Sequence, residues 1–185
     1  MDPIAMPGNR TSIHLLDYDY RWGTFFISLV AEGRTPLFGQ VVNDNVILSE
    51  AGQIIKAEWL RTPLIRKEAR LDEWVVMPDH FQAIVSMNGI NLHVGGACRR
   101  PCPSGTNSDP NSNPDGIQNI QPMPRSLARL INQFKSVTTH KINTLYGVKN
   151  RRIWQRGYHE RIIRGENELA HVRQYIRDNP KNYLR

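Results

Sequence analysis

Residues 70–87 read RLDEWVVMPDHFQAIVSM, and the two halves of this segment predict two neighbouring strands. Each half is rich in aliphatic and aromatic residues, which suit the pleated, half-buried surface of a sheet. Pro78 and Asp79 stand between the halves and are typical of turns. In the second strand His80 and Gln82 are two positions apart, so their side chains lie on one face. The segment therefore predicts a strand pair that presents an imidazole and an amide side by side.

The sequence on either side of this segment supplies the other predicted elements. Runs of β-branched and aromatic residues predict strands, and apolar residues at three- and four-residue spacing predict helices. In chain order these elements are a strand over 24–30, a hairpin over 41–48, a helix over 50–61, a long helix from 127 and a last helix from 166. Pro63 and Pro180 are expected to end the first and last helices, because proline lacks an amide donor. This order predicts an α+β fold with helices packed on one face of an antiparallel sheet.

Composition limits the class of protein. At 185 residues the chain is long enough for one domain with its own core. It contains no run of 18 apolar residues and its N-terminus lacks the apolar run of a secretory signal, so we expect a cytoplasmic protein with no membrane partner. Residues 95–124 are rich in Gly, Pro, Asn and Ser and predict a flexible loop.

Both cysteines, Cys98 and Cys102, fall in this predicted loop, and His93 stands just before it. A structural zinc site needs four ligands at characteristic spacings, and here there are only three weak candidates. The sequence therefore favours unpaired loop cysteines over a zinc site. In the cytoplasm they need not form a disulfide.

Positive charge is concentrated towards the end of the chain. The net charge is +7, and residues 125–185 contain 14 Lys+Arg against 4 Asp+Glu, whereas residues 1–124 carry a net −3. A basic C-terminal third suits a polyanion such as nucleic acid. A solvated basic face is the alternative interpretation.

Basic and aromatic residues alternate between positions 149 and 159. We predict that five of these residues contact DNA: Lys149, Arg151, Arg152, Trp154 and Arg156. The cations would grip phosphates and the indole would stack on a base. The alternative is that Trp154 anchors the core while the arginines face solvent.

The last predicted helix carries a second polar pair. Tyr175 and Asn179 are four residues apart, so both lie on one side of the helix. His171, one turn earlier, extends the same polar row, and we expect it to assist proton transfer or to contact phosphate. If this helix meets the strand of His80 and Gln82, nitrogen and oxygen ligands for a metal lie beside a phenol. These are the groups needed for nucleophilic attack on a phosphodiester, although a helical tyrosine often only packs.

These motifs resemble the single-tyrosine HUH transposases, the insertion-sequence-200-like group, and especially their REP-associated relatives. In that family the strand motif is His, an apolar residue, His, and the tyrosine stands in a Tyr-Ile-x-x-Asn-Pro context on a late helix. Further similar segments are residues 16–20, 24–29, 37–39 and 154–164. One position departs from the pattern, because Gln82 replaces the second His. Replication initiators of some small circular single-stranded DNA viruses resemble this arrangement, with His-apolar-Gln.

The resemblance implies a ferredoxin-like domain over residues 1–185 that cleaves and rejoins single-stranded or hairpin DNA. In this reading Tyr175 is the nucleophile, and His80, Gln82 and Asn179 hold Mg²⁺ or Mn²⁺. It also implies a monomer or homodimer that is associated with the nucleoid. Two alternatives remain open, a decayed or domesticated relative that binds DNA hairpins without cutting, and an RNA-binding module with no active site.

Overall fold

The computed structural model describes residues 19–88 and 126–183. In these residues the elements are β1 (Trp22–Val30), β2 (Gly39–Val42), β3 (Asn45–Leu48), α1 (Glu50–Ile65), β4 (Ala69–Val76), β5 (His80–Asn88), α2 (Leu127–Leu145), β6 (His159–Ile163) and α3 (Glu166–Asn182). The predicted loop at 95–124, with Cys98 and Cys102, lies outside the described residues, as do His93 and residues 16–18. Among the helices of the described ranges, none has the length and apolar character needed to cross a bilayer.

Four strands form one antiparallel sheet in the order β4-β5-β1-β6. Because α1 precedes β4 and α2 joins β5 to β6, the chain follows the β-α-β-β-α-β path of a ferredoxin-like fold. The predicted antiparallel α+β architecture is confirmed. β2 and β3 pair separately as a hairpin, and Asn43 and Asp44 at its tip both have positive φ, as a two-residue type I′ turn requires.

The sheet has a core on each face. The odd-numbered residues 25–29 of β1 face α1 and α2, where Trp59 and Phe134 contact Phe81 at ring-centroid distances of 5.0 and 5.5 Å. The other face carries Phe26, Ile84 and Ile163 against Ile176 of α3. The prediction that helices share one face holds for α1 and α2, whereas α3 covers the opposite face. The reason is that the second face also carries apolar side chains, Phe26 and Ile84 among them, and these need a cover of their own.

Both helices that were expected to end at proline run two residues past it. α1 continues from Pro63 to Ile65, and α3 continues from Pro180 to Asn182. Each proline lies in the last turn, so the loss of its amide donor interrupts little of the helix. After Pro63 helical bonding resumes, because the amide of Arg66 donates to the carbonyl of Thr62 at 2.8 Å.

Candidate active site

β5 directs His80 and Gln82 towards α3. In the sheet register Gln82 is opposite Ser28 of β1, and His80 is opposite Val30. These positions belong to the same face as Ile84, which packs against α3. Gln82 is only 1% exposed and His80 is partly buried. The two-residue spacing therefore places both side chains beneath the last helix, as predicted.

Asn179 of α3 completes a cluster with these two residues. Its amide nitrogen Nδ2 lies 2.6 Å from Gln82 Oε1 and 3.3 Å from His80 Nε2. Rotating this amide by 180° exchanges the positions of its nitrogen and oxygen, so that Oδ1 would face His80 and Gln82. The three side chains that were predicted as metal ligands are thus in direct contact, although they come from distant parts of the sequence.

Asp79 holds the other ring nitrogen of His80. Its Oδ1 lies 2.6 Å from His80 Nδ1. Burial raises the pKa of the Asp79 carboxyl, but the hydrogen bond to His80 and the charge of Arg34 outweigh burial, so this pKa lies below its ordinary value. The ionised carboxylate favours the tautomer with hydrogen on Nδ1. The lone pair on Nε2 then faces Gln82 and Asn179, an orientation common among metal-binding histidines.

Two ion pairs attach α3 to β4. The Arg173 guanidinium binds Asp72 in a bidentate manner, with Nε–Oδ1 and Nη2–Oδ2 distances of 2.9 and 2.6 Å. One turn later Arg177 pairs with Glu73. The two carboxylates lie in the bulge of β4, where the register with β5 shifts. Together the pairs set the position of α3 along the sheet, and with it the position of Asn179.

Tyr175 lies one helical turn before Asn179 and on the same side of α3. Its ring packs edge-on against Phe26 of β1, with 6.1 Å between ring centroids and 78° between planes. The side chain is half-buried. Since β1 is the neighbour of β5, the predicted nucleophile shares the sheet face of the polar cluster.

Two histidines belong to the elements around Tyr175. His171 is exposed, one turn earlier on α3. His159 of β6 is opposite Ser28 in the sheet and its ring lies 6.3 Å from that of Phe26. Sequence reasoning assigned no role to His159. The available signal was strand alternation, which places His159 on the α3 face once β6 is known to pair with β1.

The predicted DNA-contact residues separate into exposed cations and a buried indole. Trp154 is 3% exposed, its Nε1 donates to Thr138 Oγ1 at 2.9 Å, and its ring lies 4.9 Å from that of Phe38. The prediction that Trp154 stacks on a base is therefore wrong, and the alternative of a core anchor is correct. The physical reason is its backbone bridge to Ala31, which turns the ring into the core. The exposed cations are Lys149, Arg151, Arg152 and Arg156.

Three of these cations, Lys149, Arg151 and Arg152, line an open groove beside the C-terminal half of α2. The loop that carries them is tied to α2, because Asn143 Nδ2 donates to the carbonyl of Arg151 at 2.9 Å. Lys135 Nζ donates to the carbonyls of Gln155 and Gly157 at 2.7 and 2.8 Å. These bonds tie the backbone of the loop that carries the cations to α2.

The donor atoms of the cluster suit a divalent cation. The imidazole of His80 suits a borderline metal, and the amide oxygens of Gln82 and Asn179 suit a hard one. Among the described residues, no group of three or more His, Cys, Asp or Glu side chains could hold a metal ion. A metal site here would therefore depend on the amides of Gln82 and Asn179. All three candidate ligands are neutral, which predicts weak binding completed by water and phosphate oxygens.

Comparison with known proteins places the chain in a family. A family model described as "Transposase IS200 like" matches residues 119–179, which include α2, β6 and Tyr175. An uncharacterised protein of Haemophilus influenzae is 30% identical over 176 residues, which cover 93% of this chain and 88% of that protein. A solved structure of a REP-associated tyrosine transposase bound to a REP hairpin matches with a TM-score of 0.56 and 19% identity, over 92% of this chain and 73% of that one. At this identity the structural likeness shows the fold. The chain belongs to the IS200-like transposase family.

Proposed function

We propose that this protein cleaves and rejoins single-stranded or hairpin DNA through a covalent bond to Tyr175. The observation that carries the proposal is the contact of Asn179 with both His80 and Gln82, one helical turn from the tyrosine. A phenol beside a cluster of neutral nitrogen and oxygen donors is suited to phosphodiester transfer. The solved structure with a similar fold is bound to a REP hairpin, and we extend hairpin DNA to this chain as part of the proposal.

The proposed reaction exchanges one phosphodiester for another. Tyr175 Oη attacks the phosphorus of the DNA backbone, a bond forms between Oη and phosphorus, and the bond from phosphorus to the 3′ oxygen breaks. The phenolic proton passes to a base or to water, and the leaving 3′ oxygen takes up a proton. The products are a 5′-phosphotyrosine and a free 3′-hydroxyl. A 3′-hydroxyl reverses the same step, so rejoining needs no ATP.

In this proposal His80 Nε2, Gln82 Oε1 and the amide oxygen of Asn179 hold Mg²⁺ or Mn²⁺. A divalent cation bound there would polarise the phosphate and offset charge that develops on its oxygens. Asp79 orients the imidazole, and the two ion pairs of α3 keep the helix in place. His159 and His171 are the candidate acceptors for the phenolic proton, because a neutral imidazole nitrogen can act as a general base.

The exposed cations of the loop after α2 are proposed to hold the DNA backbone. Lys149, Arg151, Arg152 and Arg156 bind phosphates in this proposal, and Trp154 supports the loop from the core. Such contacts make affinity depend steeply on salt.

The test is covalent adduct formation with labelled single-stranded DNA that carries a hairpin, in Mn²⁺, on a denaturing gel. The parent should form an adduct. Tyr175→Phe should form none while it keeps its fold and DNA affinity, because only the nucleophilic oxygen is lost. Tyr146→Phe is the matched control, an exposed tyrosine at the end of α2, and should form adduct like the parent. Adduct retained in Tyr175→Phe would refute the assignment of the nucleophile.

A second function, binding of DNA hairpins without cleavage, is favoured by one observation. Gln82 stands where the family has a second imidazole, and its Oε1 already accepts a hydrogen bond from Asn179. The same experiment separates the two functions. A parent protein that binds the hairpin tightly and forms no adduct in Mg²⁺ or Mn²⁺ would support binding alone.

A further inference from the structure

We infer that Arg34 is an additional DNA-backbone contact, and that the turn over Glu32–Arg34 carries the DNA strand from the basic groove beside α2 to the candidate active site. This inference rests on the proposed function, because it assumes that DNA reaches the cluster of His80, Gln82 and Asn179.

Arg34 lies at the end of the sheet that carries this cluster. β1 ends opposite His80, the first residue of β5, and the chain then makes a tight turn over Glu32–Arg34. The amide of Ala31, just before the turn, donates to the carbonyl of Asp79 at 2.8 Å. The backbone of the turn is therefore tied directly to the edge of the candidate site.

The side chain of Arg34 is directed to the same edge. Its Nη1 lies 3.6 Å from Asp79 Oδ2, and the other oxygen of that carboxylate contacts His80. Arg34 is 71% exposed. The Asp79 side chain is only 10% exposed, so the pair is half exposed, and at this distance it is not a close hydrogen-bonded contact. The planar guanidinium also matches the geometry of phosphate, so a short movement would transfer it from the carboxylate to a DNA phosphate.

A second cation lies on the far side of the turn. Arg152 Nη1 is 3.5 Å from Glu32 Oε1, and both side chains are about half exposed. The amide of Glu32 donates to the carbonyl of Ile153 at 2.8 Å, which ties the turn to the basic loop. Arg152 lines the groove beside α2 together with Lys149 and Arg151. Arginine side chains, each beside one carboxylate, therefore continue from the groove, across the turn, to the edge of the candidate active site.

The backbone at Arg34 gives an independent reason to assign the side chain a role. Its φ is 51°, in the left-handed region that residues with a Cβ seldom occupy. Glycine would adopt this conformation without strain. An exposed arginine adds no core packing that offsets this cost, and backbone strain of this kind is concentrated at functional sites.

The experiment measures how affinity for a hairpin oligonucleotide with a single-stranded tail depends on salt, in EDTA so that cleavage plays no part. Each phosphate contact adds about 0.7 to the slope of log affinity against log salt on single strands, and about 0.9 on duplex. Arg34→Ala should flatten the slope by roughly that amount, and Arg34→Lys should keep most of it. Arg34→Gly, which suits the left-handed backbone, should flatten the slope without a loss of thermal stability.

Arg61→Ala is the matched control. Arg61 is 57% exposed and its Nη1 also lies 3.6 Å from a carboxylate, that of Glu58, but it belongs to α1 on the other side of the sheet. Its replacement should leave the slope unchanged. An unchanged slope in Arg34→Ala and Arg34→Gly would overturn the inference. If Arg34 only supported Asp79 and did not contact phosphate, its loss would lower affinity equally at all salt concentrations. An equal change in Arg61→Ala would also overturn it, by showing an effect of net charge.

Failure of the proposed function gives a different result. A parent protein that shows the Arg34 effect but forms no adduct with Mn²⁺ would refute cleavage and leave the DNA path intact. An active parent whose slope does not depend on Arg34 would refute the DNA path and leave cleavage intact.

Discussion

Replacing Asn179 by alanine removes the side chain that joins His80 to Gln82. Gln82 is 1% exposed, so its Oε1 would lose the Asn179 partner at 2.6 Å in a place that water enters poorly. A buried acceptor without its partner costs about 1–3 kcal/mol. For a chain of this size each kcal/mol lowers the melting temperature by about 2–4 °C. We therefore expect Asn179→Ala to melt roughly 2–12 °C below the parent.

The assay is thermal unfolding followed by circular dichroism in EDTA, so that metal binding does not contribute. Gln174→Ala is the control, because Gln174 is an exposed amide on the same helix whose Nε2 donates to Asp178 at 2.6 Å. A surface change of this kind should stay within about 0.5 kcal/mol of the parent. If the proposed metal site is correct, a repeat with Mn²⁺ should raise the melting temperature of the parent and not that of Asn179→Ala, which lacks the proposed third ligand.

A double-mutant cycle tests the physical reason. In a Gln82→Leu background the buried amide oxygen is absent and only the longer contact with His80 Nε2 is lost, so Asn179→Ala should cost much less there than in the parent. Two results would refute the reasoning: a melting temperature for Asn179→Ala equal to that of the parent, or a cost that does not depend on residue 82.

Three further predictions concern the same face of the sheet. Gln82→His should tighten Mn²⁺ binding in titration calorimetry, because imidazole is the stronger donor for this metal, and an unchanged affinity would remove residue 82 from the ligand set. The hydrogen bond from Arg173 is the largest cause that holds the pKa of Asp72 below its ordinary 3.8. The stabilisation from this pair should be complete above about pH 4 and should be lost as the pH falls towards the pKa of Asp72 in the folded protein. Thermal melts of Asp72→Asn should not show this pH-dependent loss of stability. If His159 accepts the phenolic proton, His159→Ala should slow adduct formation by about 10²-fold or more and change its pH dependence. The same result in His171→Ala instead would assign that role to His171.

Local patterns were sufficient for the direction of side chains within an element. His80 and Gln82 share a face because strand side chains alternate, and Tyr175 and Asn179 share a side because four residues make about one helical turn. Ser49 stands directly before α1, at a position where serine is a common N-cap, and its Oγ accepts from the amide of Gly52 at 3.1 Å. These properties depend only on neighbouring residues, so they follow from the sequence.

Which residues pack against each other across the fold could be determined only from the tertiary structure. The same mixture of aromatic and basic residues suits a base-stacking Trp154 and a core Trp154, and its burial and its bridge to Ala31 in the folded chain distinguish them. His159 and Arg34 become part of the candidate site only because β1 lies between β5 and β6. Strand order is set by the burial of the whole sheet rather than by any one segment. Local spacing therefore predicted which residues face together, and the sheet order determined which of them meet.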